Sequence, residues 1–233
     1  GANSVANGKI TRLTPFKQVY VQAAAGDAGG ALGAALDVWH KLGAPRCQPM
    51  GPAYLGTRPL TSEVTDLISD VETKEQLRLS GCSLVARMGD PIIPNENALL
   101  DLVSTAIGQG LVVGWYQGRM EWGPRALGHR SILGDPRRED MKDILNLKIK
   151  RRESFRPFAP SVLQELASEW FELVSPLDAD VPYMMQVYPI RQDKRPTIPA
   201  VTHIDGTGRL QTVNEADNGR YYRLIHRFYE RTG

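Results

Sequence analysis

Apolar residues at positions 99, 100, 103 and 107 recur with a helical period, so NENALLDLVSTAIG (95–108) reads as an amphipathic helix. A second stripe, Met141, Ile144, Leu145 and Ile149, predicts a helix over EDMKDILNLKIK. TSEVTDLISD opens another, with Thr61 or Ser62 as the N-cap candidate, and 218–230 reads as a final helix. Strands are expected where β-prone residues run together: QVYVQAA (18–24), the run 111–116 between glycines, 181–188 and 209–213. The glycines of GDAGGALGAALDVWHKLG end the first strand and open a helix from Gly30 to Leu42, which Gly43 stops. This alternation argues for an α/β fold in which 111–116 is a central strand of a mixed sheet and 117–131 a loop at its end. The Pro/Gly-rich passage 43–60, GAPRCQPMGPAYLGTRPL, reads as a loop or domain boundary.

Length and charge narrow this picture. With 233 residues there is room for one or two domains, each with a core. A formal net charge of +2 excludes a polyanion-binding tail, yet residues 119–156 hold eleven Arg and Lys against six Asp and Glu. The rest of the chain is net acidic, so the positive field is local and suits a bound anion better than long-range steering of nucleic acid. Cys47 and Cys82 lack CxxC spacing, which argues against a disulfide framework or thiolate metal site and fits a reducing cytoplasm. No apolar run approaches bilayer-spanning length and no signal peptide opens the chain. GANSVANGKI and RFYERTG read as cut ends, so a piece of a longer protein is expected.

The candidate chemistry lies in GRMEWGPRALGHRSILGDPR (118–137). A strand ending at Gly118 delivers Arg119 to a sheet rim, where α/β folds bind ligands. Gly123, Pro124 and Gly128 shape a turn from which Arg125 and Arg130 project, and Ser131 adds a hydroxyl. Arg suits planar, bidentate contact with phosphate or carboxylate. The alternative is a solvated loop with ion pairs to Glu121 and Asp135. A second basic run, KIKRRESFRPFAPSVL (148–163), carries Lys150, Arg152 and Arg156 off a helix end into a Pro-stiffened extended segment. Lys148 and Arg151 are assigned to the helix C-terminal dipole. In AVTHIDGTGRLQTV, His203, Asp205, Thr207 and Arg209 gather polar groups that form either a site wall or an Asx-type turn. Gly26, Gly29 and Gly30 flank a strand-to-helix turn whose amides could face a phosphate or adenosine, although Asp27 there also suits a helix cap.

GRMEWGPRALGHRSILGDPR, KRRESFRPFAPSVL, AVTHIDGTGRLQTV and AAGDAGGALGAAL together resemble the NodU/CmcH family of O-carbamoyltransferases over nearly the whole chain. The resemblance implies that residues 1–60 are the tail of an actin/Hsp70-like (Kae1-like) ATPase domain with a linker. Residues 61–233 would then be most of a YrdC-like domain. It further implies that carbamoyl phosphate and ATP become carbamoyl adenylate, and that the carbamoyl group passes to a hydroxyl acceptor. Lys150, Arg152 and Arg125 would carry the catalysis, and Arg119, Arg130, Ser131, Arg156 and Arg209 would join them in holding the anions. Gly26, Gly29 and Gly30 would bind nucleotide in the Kae1-like part. Asp27 matches a position expected to ligate iron, the other ligands lying upstream; Mg2+ would arrive with ATP. With no obvious nucleophile or general base, direct attack of carbamate oxygen on the α-phosphate is expected.

Two other readings are weighed: a YrdC-like module that binds RNA, and a folded fragment inactive alone. RNA needs exposed stacking aromatics, and strand periodicity buries several of Trp115, Tyr116, Trp122, Phe155 and Phe158. Self-association stays open, because a domain cut from its neighbour exposes apolar surface.

Overall fold

In the computed structural model, which describes residues 1–46, 49–83 and 93–233, the chain opens with two single-turn helices, α1 (Ser4–Asn7) and α2 (Ile10–Leu13). Three longer helices follow: α3 (Gly30–Lys41), α4 (Thr61–Ser69) and α5 (Val71–Leu79). After α6 (Glu96–Gly108) come β1 (Val113–Tyr116), β2 (Arg130–Leu133) and the short α7 (Met141–Asp143), which runs on into a π-helical turn, Ile144–Ile149. β3 (Ser161–Leu163), α8 (Ala167–Trp170), β4 (Gln186–Pro189), β5 (Thr207–Val213) and α9 (Glu215–Thr232) complete the order. The mixture of helix and sheet is consistent with an α/β fold. No described helix is long and apolar enough to cross a membrane.

The strands form two small sheets. β1 and β2 pair antiparallel, with Tyr116 opposite Arg130. β5 lies between β3 and β4, parallel to the first with Ser161 opposite Gln211, and antiparallel to the second with Gln186 opposite Leu210. Alternation along β5 sorts its side chains between two sides. Leu210 enters a core with Phe171, Tyr188 and Ile190, while Val213 joins Trp115 and the facing surfaces of α6 and α9. Arg209 and Gln211 share the side of Val213, which turns them toward the glycine-rich arginine loop.

The helix over 95–108 forms as its stripe predicts: the Asn95 side chain caps it by accepting from the Ala98 amide at 3.0 Å, and Leu99, Leu100, Val103 and Ile107 are buried. α4 starts where expected but differs in its cap. The Leu60 amide donates to the Glu63 carboxylate at 2.7 Å, so a first-turn acid supplies the cap in place of Thr61 or Ser62.

Several expectations are corrected. Residues 18–24 form no strand: the chain turns at Gln22, whose side chain accepts from the Ala24 amide at 2.9 Å, and a β-prone run without a neighbouring ladder stays irregular. The run 111–116 is not central. Only 113–116 are strand, paired on one side with β2, because Trp115 must enter the α6–α9 core while Tyr116 faces out. Arg130 and Ser131, assigned to the loop, begin β2. Of the two cysteines, Cys82 is exposed and unbridged; Cys47 lies outside the described residues.

The passage 43–60 is no free linker in its second half. The Trp122 amide donates to Ala53 O at 2.7 Å, Gly56 to Met120 O at 3.0 Å, and Met120 to Thr57 O at 3.0 Å. Residues 53–57 thus lie along 120–122. Upstream, Asn7 Nδ2 donates to Met185 O at 2.8 Å, fastening the first residues next to β4.

Gly128 has no room for a side chain. Its φ is +102°, and a Cβ would run into the buried Tyr221 ring. Gly128→Ala is expected to destabilise the fold by roughly 2–4 kcal/mol, summing backbone strain and overpacking. A urea melt at neutral pH measures it, and a midpoint equal to the parent's would contradict the packing described.

Candidate anion-binding site

Two basic motifs and β5 meet at one cleft of about 470 Å³, with Arg125, Ser131, Arg137, Lys150, Arg152 and Arg209 among its lining residues. Each cation arrives by a different device.

Arg125 sits on a loop wound around a carboxylate. Glu121 Oε1 accepts the amides of Leu127 at 2.7 Å, His129 at 2.9 Å and Arg130 at 3.2 Å. Burial pushes the Glu121 carboxyl up, but these amides outweigh it and hold the group below the usual carboxylate range. Leu127 O is gripped by Tyr54 OH at 3.0 Å and Gln211 Nε2 at 3.0 Å.

Arg152 is aimed by Asn146, which is fully buried in the π-helical turn. Asn146 Oδ1 accepts from Arg152 Nε at 2.6 Å, while Nδ2 donates to Ser154 O at 3.1 Å and Arg156 O at 2.8 Å. The guanidinium also lies over the Phe158 ring, 4.8 Å from its centroid. The π turn itself is closed by the Lys150 amide donating to Leu145 O at 2.9 Å. Arg151 follows with φ +46°, and the chain then leaves helical geometry.

Arg209 carries the clearest electrostatic signature. Burial, then the like charges of Arg125 and Arg152, pull its pKa down to about 10. A half-buried guanidinium facing two like charges is stabilised by an anion beside it. The hydrogen bonding agrees: Arg125 Nε and Arg209 Nε are buried with no hydrogen-bond partner among the described residues. Buried donors are normally paired, so these two stand open to an acceptor.

Arg130, Arg119 and Arg156, expected to hold the same anions, do not line this cleft. Arg130 turns back on its own hairpin. It donates to Gln117 O at 2.5 Å, His129 O at 2.8 Å and Gly118 O at 3.1 Å, and covers the Tyr116 ring at 3.7 Å. Arg119 donates to Leu55 O at 3.3 Å, and Arg156 pairs with Glu153 at 3.0 Å. Direction explains the difference: positions five apart on a tight loop point different ways, and free carbonyls at a strand end satisfy a guanidinium as well as a ligand does.

The proposed ion pair to Glu121 is replaced by backbone amides, whereas Asp135 does pair with a cation, Arg137, at 2.6 Å. His203 stands beside the cleft cations; its Nδ1 contacts Thr207 Oγ1 at 2.9 Å, and burial lowers its pKa. Sequence reasoning missed Tyr54, Glu121 as an organiser, and Asn146. The last left one signal, an Asn directly beside buried Leu145 within an otherwise apolar stripe.

Asp27 lies exposed on a single turn, Asp27–Gly29, ahead of α3. A Cβ at Gly26 or Gly30 would meet nothing within 4 Å, whereas one at Gly29 would strike Ala24 O. Among the described residues no three His, Cys, Asp or Glu side chains gather as a metal would require. A lone carboxylate does not fit an iron ion, so no chemical step is derived through one.

Comparison with known proteins agrees with the motif resemblance. Residues 104–233 match the family "Carbamoyltransferase C-terminus", and residues 1–36 match "Carbamoyltransferase N-terminus". The chain is 44% identical to Nodulation protein NolNO of Sinorhizobium fredii, over 99% of this chain and 32% of that protein. It is 42% identical to the protein sll1178 of Synechocystis sp., over 97% of this chain and 38% of that one. Against the 3'-hydroxymethylcephem-O-carbamoyltransferase of Amycolatopsis lactamdurans it is 33% identical, over 100% of this chain and 39% of the enzyme. The chain thus spans 32–39% of the length of these curated relatives. With more than half of its residues inside the C-terminal family, the chain belongs to the carbamoyltransferases.

Proposed function

We propose that this chain supplies the phosphate-handling part of an O-carbamoyltransferase, in which carbamoyl phosphate and ATP yield carbamoyl adenylate and the carbamoyl group then moves to a hydroxyl of a small-molecule or sugar acceptor, with AMP as the leaving group. Residues 61–233 would form most of the YrdC-like domain and residues 1–60 the end of the Kae1-like one with a linker. One observation carries this reading: Arg209 faces the like charges of Arg125 and Arg152 at one cleft, and the buried Nε donors of Arg125 and Arg209 have no partner among the described residues.

Both substrates are dense anions, and holding them together requires fixed positive charge. Arg125, Arg152 and Arg209 bind and orient the phosphoryl oxygens, and Lys150 adds a mobile ammonium at the rim. Carbamoyl phosphate loses its phosphate to water, leaving carbamate. A carbamate oxygen then attacks the α-phosphorus of ATP, and the bond to the pyrophosphate oxygen breaks. The cations stabilise the charge that develops on the departing pyrophosphate. Magnesium would travel with the ATP phosphates.

RNA is the weaker alternative. Trp115 is buried and Phe158 lies beneath Arg152, so of the five nearby aromatics only Tyr116 and Phe155 are exposed, and Arg130 covers Tyr116.

Exchange of labelled pyrophosphate into ATP tests the reading. Exchange that requires carbamoyl phosphate is the expected result for the whole protein. Exchange independent of carbamoyl phosphate, or none alongside tight RNA retention, would overturn it.

A further inference from the structure

Tyr54 lies in the segment that reads as linker, yet it is bonded into the anion loop from three sides. Its hydroxyl donates to Leu127 O at 3.0 Å and accepts from Asn218 Nδ2 at 2.7 Å. Its ring stacks on His129, with centroids 3.6 Å apart and planes within 8°. His129 Nδ1 in turn contacts Arg119 O at 2.6 Å; the carbonyl can only accept, so Nδ1 carries the hydrogen. Asn218 is buried where the backbone of α9 leaves helical geometry, and its Oδ1 accepts from Gln117 Nε2 at 2.7 Å. The Gln117 Oε1 accepts from Trp115 Nε1 at 3.1 Å. On the other side, Gln211 Nε2 shares Leu127 O, and Gln211 Oε1 accepts from Ser161 Oγ at 2.7 Å.

These contacts form one buried polar chain from the β1–β2 hairpin to the β3–β5 sheet, and Tyr54 is its only member from the first 60 residues among those named. Every other residue in it belongs to the part that carries the cations. We infer that Tyr54 is a positioning residue, a latch by which segment 53–57 fixes the loop bearing Arg125 and so tunes the affinity of the cleft for phosphate-bearing anions. This rests on the reading of Arg125 as an anion ligand. The mechanism is geometric. Leu127 O, His129 and the Glu121-bound amides are the anchors of the turn, and Tyr54 touches the first two. Burial keeps the Tyr54 hydroxyl protonated far into the alkaline range, so the donor to Leu127 O is permanent. Arg152 is held separately by Asn146, on a different element.

Tyr54→Phe preserves the ring stack and removes only the hydroxyl. Titration calorimetry with inorganic pyrophosphate is the test, made in parent, Arg125→Ala and Arg152→Ala backgrounds. Tyr54→Phe should weaken binding roughly three- to tenfold in the parent, as expected for one lost hydrogen bond. The same loss should persist with Arg152→Ala and vanish with Arg125→Ala. Equal losses in all three backgrounds, or no loss in the parent, would overturn the latch.

Amide exchange in the absence of ligand separates this inference from the anion reading. Tyr54→Phe should speed exchange at Leu127, His129 and Arg130 while leaving Lys150 and Arg152 unchanged. If the parent binds no pyrophosphate, the anion reading fails and the latch fails with it; pyrophosphate binding in the parent with unchanged exchange at those amides would remove the latch alone. Should Tyr54→Phe fail to fold cooperatively, the parent alone decides, because coupling is reciprocal. Saturating pyrophosphate should protect the amides of Gly56, Met120 and Trp122, and protection confined to the cleft would reject the latch.

Discussion

Arg152→Ala and Arg125→Ala are each expected to weaken binding of carbamoyl phosphate or ATP about tenfold or more, while Arg138→Ala leaves it unchanged. One charge-assisted hydrogen bond contributes roughly 1.5–3 kcal/mol, and about 1.4 kcal/mol is a factor of ten. Arg138 is the proper control because its guanidinium is spent on Asp140, at 2.6 Å, and on Gly110 O at 3.1 Å. Lysine at 125 or 152 should not restore full affinity, since it lacks the planar fork; at 152 it would also lose the bond to Asn146. Calorimetry on the parent and the three alanine variants checks the outcome. Equal affinities across all three would reduce the cluster to a solvated face.

Glu121→Ala should cost about 3 kcal/mol or more of folding stability, because three loop amides lose their common acceptor, each worth roughly 1 kcal/mol or more. Glu121→Gln should cost less, keeping an oxygen but not the charge. The pH dependence distinguishes charge from shape. The Glu121 carboxyl ionises below its usual range when folded, so its stabilising effect is fully present above the unfolded value near ~4.3 and is lost as pH falls through the folded one. The gap between parent and Glu121→Gln in urea melts should therefore be widest at neutral pH and close in acid. A gap that stays constant from neutral pH to well below 4 would assign the effect to packing.

The local signals were legible. α6 was visible because its cap, Asn95, and its stripe lie within one short window. That Arg125, Lys150, Arg152 and Arg209 share one cleft was legible because their charge clusters beside glycine and proline. What the sequence hid is long-range and uncharged. Tyr54, Asn146 and Asn218 act through hydrogen bonds to groups that only folding brings near, and no spacing announces them. The same limit explains Arg130: nothing in its neighbourhood distinguishes it from Arg125, and the side that each faces is set by the turn at Gly128 and by Tyr221 behind it. The run 18–24 has strong β propensity, but propensity without a pairing edge forms no strand.

The π-helical turn at Ile144–Ile149 lets the cleft tolerate a change of one residue in chain length. Such a turn holds one residue more than an α-helix spanning the same rise. Deleting a residue from it, Lys148 for example, would let the ladder rewind to α-helix with little local penalty. The α turn closes the same revolution over the same rise with one residue fewer, so everything downstream keeps its direction around the helix axis. Arg152 would leave the helix facing the same cleft. Homologues one residue shorter between Met141 and Arg151 should therefore carry their second basic motif in the same place, and an alignment that refuses a gap in this turn would match the wrong arginine to this one.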